Sequence, residues 1–275
     1  MTRRSRRIVG AAAAIAVVIG GASAIWAVAG PRGQPAPAMQ AVKGFDEAGV
    51  SVGTGDSFSP ADWRTIRADG FRVFITDPVR WSSECSGAGC ARPVSACALD
   101  PAAVAQLRDA YQAGLDYAVY TRNVSCLPAA ISGLPAPLRA HLSFAVLDIE
   151  PGPSVRLTAG LIRRVTALGQ TPVVYSYASG WQSVMGGSSS FSRYPLQNGE
   201  APAAGGRFPG AYPAGYPLLT RMTTPFGGWS GVVPIQQQQT SAEIRGPAGV
   251  LGLPSDAVDL DSVSAAWLAS LPHHT

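Results

Sequence analysis

The sequence predicts an α/β fold: a single irregular (β/α) barrel of the TIM type, with five βα units followed by strands joined by long loops. Three observations carry this expectation. Strand-like apolar runs alternate with helical stretches that bear start and stop signals. The fourth and fifth runs are almost wholly apolar, as required when both faces of a parallel sheet are covered. Beyond Trp181 the helical periodicity gives way to residues 186–231, rich in Gly, Pro, Ser and Ala, yet strand-like segments persist.

Residues 41–46 form a first strand candidate. Ser59-Pro60 then supplies a helix cap and an N1 proline ahead of Trp63 and Ile66, and Gly70 supplies the stop. Residues 71–76 are the second strand. Asp100-Pro101 opens a second helix whose Val104, Leu107 and Tyr111 share a face, with Gly114 closing it. Residues 117–120 and 143–149 are the third and fourth strands. A helix with Leu157, Leu161, Ile162, Val165 and Leu168 at helical spacing ends at Gly169. Residues 172–176 are the fifth strand. Later strand candidates lie at 194–196, 232–235 and 257–260, without good helices between them.

The N-terminus sets the compartment. Arg3, Arg4, Arg6 and Arg7 precede an apolar run over residues 8–30, the pattern of an export leader. Small-residue cleavage patterns occur at Ala22-Ser23-Ala24 and Ala27-Val28-Ala29. The run is also long enough to cross a bilayer core of about 30 Å as a helix. A cleaved signal peptide and a retained signal anchor are both open, and both place the rest of the chain outside the cytoplasmic membrane. Residues 31–43 read as a Pro-rich linker, and residues 44–275 as one domain, expected to be a monomer.

Charge excludes one class of partner. Of the 21 basic and 17 acidic residues, six basic and no acidic ones precede Gly44, leaving the domain 15 basic against 17 acidic. That balance lacks the basic face that nucleic acid requires. The membrane is expected to be touched only through the leader. Cys85, Cys90, Cys97 and Cys126 in an exported chain read as disulfides rather than zinc ligands, whose spacing they lack. Cys85 with Cys90 and Cys97 with Cys126 is one of three pairings they allow.

The three histidines are His141, His273 and His274, two of them at the C-terminus, which removes Ser-His-Asp triads and histidine metal sites. No metal or cofactor is expected. Carboxylates remain for acid–base work. Leu147-Asp148-Ile149-Glu150-Pro151 ends an apolar strand in Asp-x-Glu, placing two carboxyls on one side. In a β/α barrel such strand ends build the mouth where active sites lie. Paired acids there raise each other's proton affinity, so that one stays protonated as an acid. Asp46 ends the first strand, and Asp259 and Asp261 lie in the last. First and last strands are neighbours in a closed barrel, so three strands aim carboxyls at one mouth. Gln236 to Gln239 read as a strand running into a loop.

The order of these motifs resembles glycoside hydrolase family 25, the muramidases, or a related group of secreted glycoside-hydrolase-like barrels. The matching pieces are Gly44-Phe45-Asp46, Leu147-Asp148-Ile149-Glu150, Val173-Val174-Tyr175-Ser176 with Trp181, Ile235-Gln236-Gln237, and Val258-Asp259-Leu260-Asp261. The resemblance implies a lysozyme-like glycosidase acting on peptidoglycan-type polysaccharide. Glu150 is then the general acid, and Asp148 stabilises the positive sugar or positions its acetamido group. Asp46, Asp259 and Asp261 complete an acidic mouth, and Tyr175 and Trp181 offer faces for sugar stacking. The departures are Glu47-Ala48-Gly49 after the first motif, Tyr120-Thr121-Arg122-Asn123 where an aromatic-His pair is usual, no Trp near Leu196-Gln197-Asn198, and an extra cysteine-bearing insert. A non-catalytic glycan-binding or scaffolding barrel is the competing expectation, since a fold does not fix a function.

Overall fold

The computed structural model describes residues 39–47, 58–80, 97–152, 156–200, 216–242, 244–246, 249–250 and 258–272. The leader, most of the linker, Cys85, Cys90, His273 and His274 lie outside them. The compact unit that carries the barrel begins at Met39.

The strands are β1 Ala41–Glu47, β2 Phe71–Thr76, β3 Asp116–Val119, β4 Phe144–Asp148, β5 Pro172–Ser176, β6 Leu196–Asn198, β7 Ile235–Ala242, a short hairpin β8 Arg245–Gly246 with β9 Gly249–Val250, and β10 Val258–Ser264. They close into a barrel in the order β1-β10-β7-β6-β5-β4-β3-β2, with the hairpin outside it. From β1 round to β7 neighbouring strands are parallel; in the barrel β10 runs the other way, antiparallel to both β7 and β1. The predicted irregular barrel is the observed fold, and the reversed last strand is one source of its irregularity.

Helices α1 Pro60–Ala68, α2 Pro101–Gln112, α3 Leu127–Gly133, α4 Ala136–Ala140, α5 Ala159–Ala167 and α6 Ala178–Met185 fall between the first six strands. Their caps follow the sequence signals. Ser59 and Asp62 form a reciprocal capping box on α1, Asp100 caps α2, and Thr158 caps α5. No described helix lies between α6 and α7 Ala265–Ser270, as the loss of periodicity predicted. Among the described residues, no helix is long and apolar enough to cross a membrane.

Strand alternation sorts the core into two layers. Phe45, Phe74, Tyr117, Ala145, Leu147, Val174 and Leu260 face outward and pack with Trp63, Leu107, Leu161 and Trp181 of the helices. Val73, Ile75, Ala118, Phe144, Val146, Val173, Ile235 and Val263 fill the barrel interior, together with Leu268 and Leu271. Phe144 meets Trp267 of α7 edge-on at 5.2 Å between ring centroids, so this helix plugs the lower end. Gly44 faces this interior, where a Cβ would stand 3.0 Å from Val263 Cγ2; the close approach of β1 to β10 leaves no room for a side chain.

Residues 41–43, at the end of the linker and the start of the first strand candidate, belong to β1, because Ala41 and Val42 pair with Ser264 and Val263. Two details differ from the expectation. β6 and β7 begin two or three residues later than their apolar runs, at Leu196 and Ile235, since Pro195 and Pro234 lack the N–H a ladder needs. Gln236 to Gln239 do not run into a loop but lie inside β7. Polar side chains hid that strand, because two of them are partnered outside the barrel. Thr220 N–H donates to Gln236 Oε1 at 2.9 Å, and Gln238 Nε2 donates to the Leu218 carbonyl at 2.8 Å.

Candidate active site

The interior-facing positions change character along the barrel axis. The lower layers are apolar, but the next inward residue on several strands is polar: Asp46 on β1, Asp148 on β4, Tyr175 on β5, Gln197 on β6, Gln237 on β7, and Asp259 and Asp261 on β10. Asp46 pairs in register with Asp259, and Gly44 with Asp261. A cavity of about 180 Å³ opens at this end, lined by Asp46, Ile75, Tyr120, Val146, Asp148, Glu150, Tyr175, Gln197 and Asp259. It is the C-terminal end of the parallel strands, where the barrel geometry puts active sites.

Each acid is held differently. Gln197 Nε2 donates to Asp46 Oδ2 at 3.1 Å and to both carboxylate oxygens of Asp261 at 3.4 Å. Gln237 Nε2 donates to Asp259 Oδ2 at 2.6 Å, and its Oε1 accepts from the Tyr175 hydroxyl at 3.5 Å. The chain leading to Glu150 is fixed by Ser176, whose Oγ donates to the Ile149 carbonyl at 2.6 Å, and by Ile149 N–H donating to the Tyr175 carbonyl at 3.0 Å. Asp148 is 5 % exposed, whereas Glu150, one step beyond the strand, is only partly buried.

Crowding acids in a dry mouth raises their proton affinity. Burial pushes Glu150 up, with the Asp259 charge adding and Arg122 opposing. Asp148 rises well above the usual carboxylate range through burial, with Glu150 and Asp77 adding and Arg122 opposing. Asp46 rises well above it through burial and then through Asp261 and Asp259. Burial carries Asp261 to about 7, with hydrogen bonds to Asp46 and Gln197 holding it down. The arrangement therefore offers a partly exposed carboxyl, Glu150, beside a deeper one, Asp148, both with raised proton affinity and both within the field of Arg122.

Asp46, Asp148, Glu150, Asp259 and Tyr175 converge as expected. Asp261 does not face the cavity: it is fully buried beneath the floor and touches it only through Asp46 and Gln197. Trp181 is no sugar platform. It lies on α6 with no exposure, its indole N–H donates to the Ser188 carbonyl at 2.9 Å, and its ring meets Trp229 at 4.9 Å. Helical geometry turns it to the layer outside the barrel, where Phe191 and Phe226 also pack.

Several participants were missed. Asp77, just past β2, accepts from Val79 and Arg122 backbone N–H groups at 2.9 Å and thereby anchors the Arg122 turn. An acid one residue beyond an apolar strand was the available signal. Tyr120 lines the cavity and donates its hydroxyl to the Glu47 carbonyl at 3.1 Å. Tyr177 follows β5 and feels both Glu150 and Asp148. Its ring rests on Gly180, where a Cβ would come within 2.9 Å of Cζ. Among the described residues, no group of three or more His, Cys, Asp or Glu side chains has metal-holding geometry.

This architecture has solved counterparts. A muramidase from Trichobolus zukalii superposes with a TM-score of 0.52 at 19% identity, covering 85% of this chain and 100% of its own. The two share a fold. A family GH25 lysozyme from Aspergillus fumigatus (TM-score 0.47, 16% identity, 82% of this chain and 94% of its own) and a muramidase from Acremonium alcalophilum (0.49, 16%, 85% and 100%) are similar to lesser degrees. Neither protein-family models nor curated proteins give a match to the chain. The irregular barrel expected from the motifs is thus the fold observed, and it is shared with a muramidase.

Of the expected disulfides, Cys97–Cys126 is present, closing a separation of 29 residues. It joins the segment after β2 to the turn after β3. Arg80 N–H donates to the Ala98 carbonyl, and Asp100 N–H to the Pro78 carbonyl, both at 2.8 Å. The bond thus ties together the two loops that bear Asp77 and Arg122.

Proposed function

We propose that the protein is an exported glycoside hydrolase acting on a cell-wall glycan of the peptidoglycan type, with Glu150 as general acid. The observation that carries this reading is the convergence of Asp46, Asp148, Glu150 and Asp259 on one solvent-reaching cavity at the C-terminal end of the barrel. Glycosidic bonds are cut by carboxyl pairs of this kind, one protonating the leaving oxygen while the other stabilises the oxocarbenium-like ring or activates its attacker. Glu150 suits the first role, because burial and the Asp259 charge raise its proton affinity while it remains reachable. Asp148 suits the second by position: it sits deeper on the same side of the chain, where the Arg122 charge counters part of the rise in proton affinity that burial, Glu150 and Asp77 cause. The fold shared with a muramidase supports the substrate class. The Cys97–Cys126 disulfide supports export, since such bonds persist in oxidising compartments.

Tyr120 and Tyr175 in the lining, and Tyr177 beside the acids, are the aromatic surfaces available to a sugar in place of Trp181. The test is release of reducing ends from purified cell walls by the wild-type protein and by Glu150→Gln. Loss of a general acid lowers the rate by roughly 10²–10⁴. Equal release by both proteins overturns the assignment of Glu150. Retention on walls without release by either favours a glycan-binding barrel.

A further inference from the structure

Among the described residues, Gln197 bridges two acids from different strands, and nothing in the proposed chemistry yet uses it. It stands on β6, where the muramidase pattern leads one to expect a tryptophan near Leu196-Gln197-Asn198. It is 2 % exposed, lines the cavity, and spans from β6 to Asp46 on β1 and Asp261 on β10. Its Oε1 is buried without a hydrogen-bond partner. Its Nε2 faces three carboxylate oxygens, so the side chain donates to the acids, at the cost of an unsatisfied carbonyl.

Asp46 and Asp261 both accept from the one Gln197 nitrogen, so their carboxyls lie side by side in a buried site. Two carboxyls crowded in such a site repel when both ionise, so the pair holds one proton in common. We infer that Gln197 is a positioning residue that holds Asp46 and Asp261 side by side around one shared proton, its donated hydrogen bonds supporting the single negative charge left on the cavity floor beneath Asp148 and Glu150.

The consequence for the chemistry rests on the glycosidase reading. A second charge on the floor would make an anionic Asp148 harder to sustain, because Asp46, Asp148, Glu150 and Asp259 share one poorly hydrated space. With the floor held at one charge, less repulsion opposes ionisation of Asp148. The groups acting on the pair are Asp259 on β10, Asp148 at the end of β4, Tyr120 after β3 and Tyr175 on β5, with Glu150, Asp77 and Arg122 further out around Asp148. Arg122 is the cation among them, and it acts on Asp148 and Glu150 rather than on the pair.

The test is a carboxyl ¹³C NMR titration of aspartate-labelled protein, with Asp46→Asn and Asp261→Asn used for assignment. In the wild type the pair should retain a proton through mild acidity and show a step near the value of about 7 set for Asp261. Full ionisation of both carboxyls below pH 6 overturns the proposal before any variant of Gln197 is made. Gln197→Met keeps the bulk and removes the donor, so the step should move up by about one pH unit or more. An unchanged midpoint in a folded Gln197→Met protein overturns the clamp. Where wall cleavage is measurable, the same variant should displace the pH–rate profile with little change in KM. A uniform fall in rate with the profile in place indicates a merely structural residue and overturns the positioning role. The titration needs no substrate, so it decides for or against the clamp even if the protein cleaves no glycan.

Discussion

Replacing Cys97 and Cys126 together by Ala should destabilise the fold through the unfolded state. The bond closes 29 residues. In the chain-entropy treatment the closure removes about 12 cal/mol/K from the unfolded ensemble, or about 3.6 kcal/mol at 25 °C. The native surroundings add to this cost. Cys126 is buried against Val79 and Ala130, with Cys97 and Leu99 packed alongside, and alanines leave a small void there. The assay is urea unfolding followed by tryptophan fluorescence, comparing the double variant with the wild type. The midpoint should fall and the slope should rise, because an uncrosslinked chain exposes more surface. A loss below about 1 kcal/mol refutes the reasoning, since a cross-link of this span would then constrain little in the unfolded chain. The bond also brackets Asp77 and Arg122, so a weakened cleavage rate under native conditions is expected to accompany the stability loss.

Trp181→Ala should cost about 3–5 kcal/mol in the same denaturation assay, because it empties a fully buried aromatic site. A variant of normal stability that bound glycan less well would instead mean that the indole faces substrate. Stability should also fall as pH rises. Asp46, Asp148, Glu150 and Asp261 all bind protons more tightly folded than unfolded, so their contribution is complete below the ordinary carboxylate range and is lost as pH passes through their raised values. For Asp261 that loss extends to about pH 7. Thermal melting should therefore decline between about pH 4 and 7, and Asp261→Asn should flatten the decline; a melting point that rises over this interval contradicts the raised affinities.

The parts that were legible in the sequence share a physical origin. β4 and β5 were readable because strands covered on both faces are apolar throughout, and α1, α2 and α5 because their caps are local hydrogen bonds between residues close in the chain. Asp148 and Glu150 were readable as a pair because a strand repeats every two residues. Of β7 only the start was readable, because the polar glutamines that continue it find partners in the preceding loop. Gln197 was likewise seen only as a missing tryptophan, since a lone glutamine in a short strand carries no periodic signal.

Local chemistry alone therefore determined the order of strands and helices, the barrel class and the acidic strand ends. Tertiary structure decided which of those acids face the cavity. It put Asp261 under the floor and Asp77 beside Arg122, turned Trp181 into the outer core, and joined Asp46 to Asp261 through Gln197. The reason is that alternation gives the side of a strand but not its height along the barrel axis. Height depends on register between strands distant in sequence, and closure of β10 against β1 sets it.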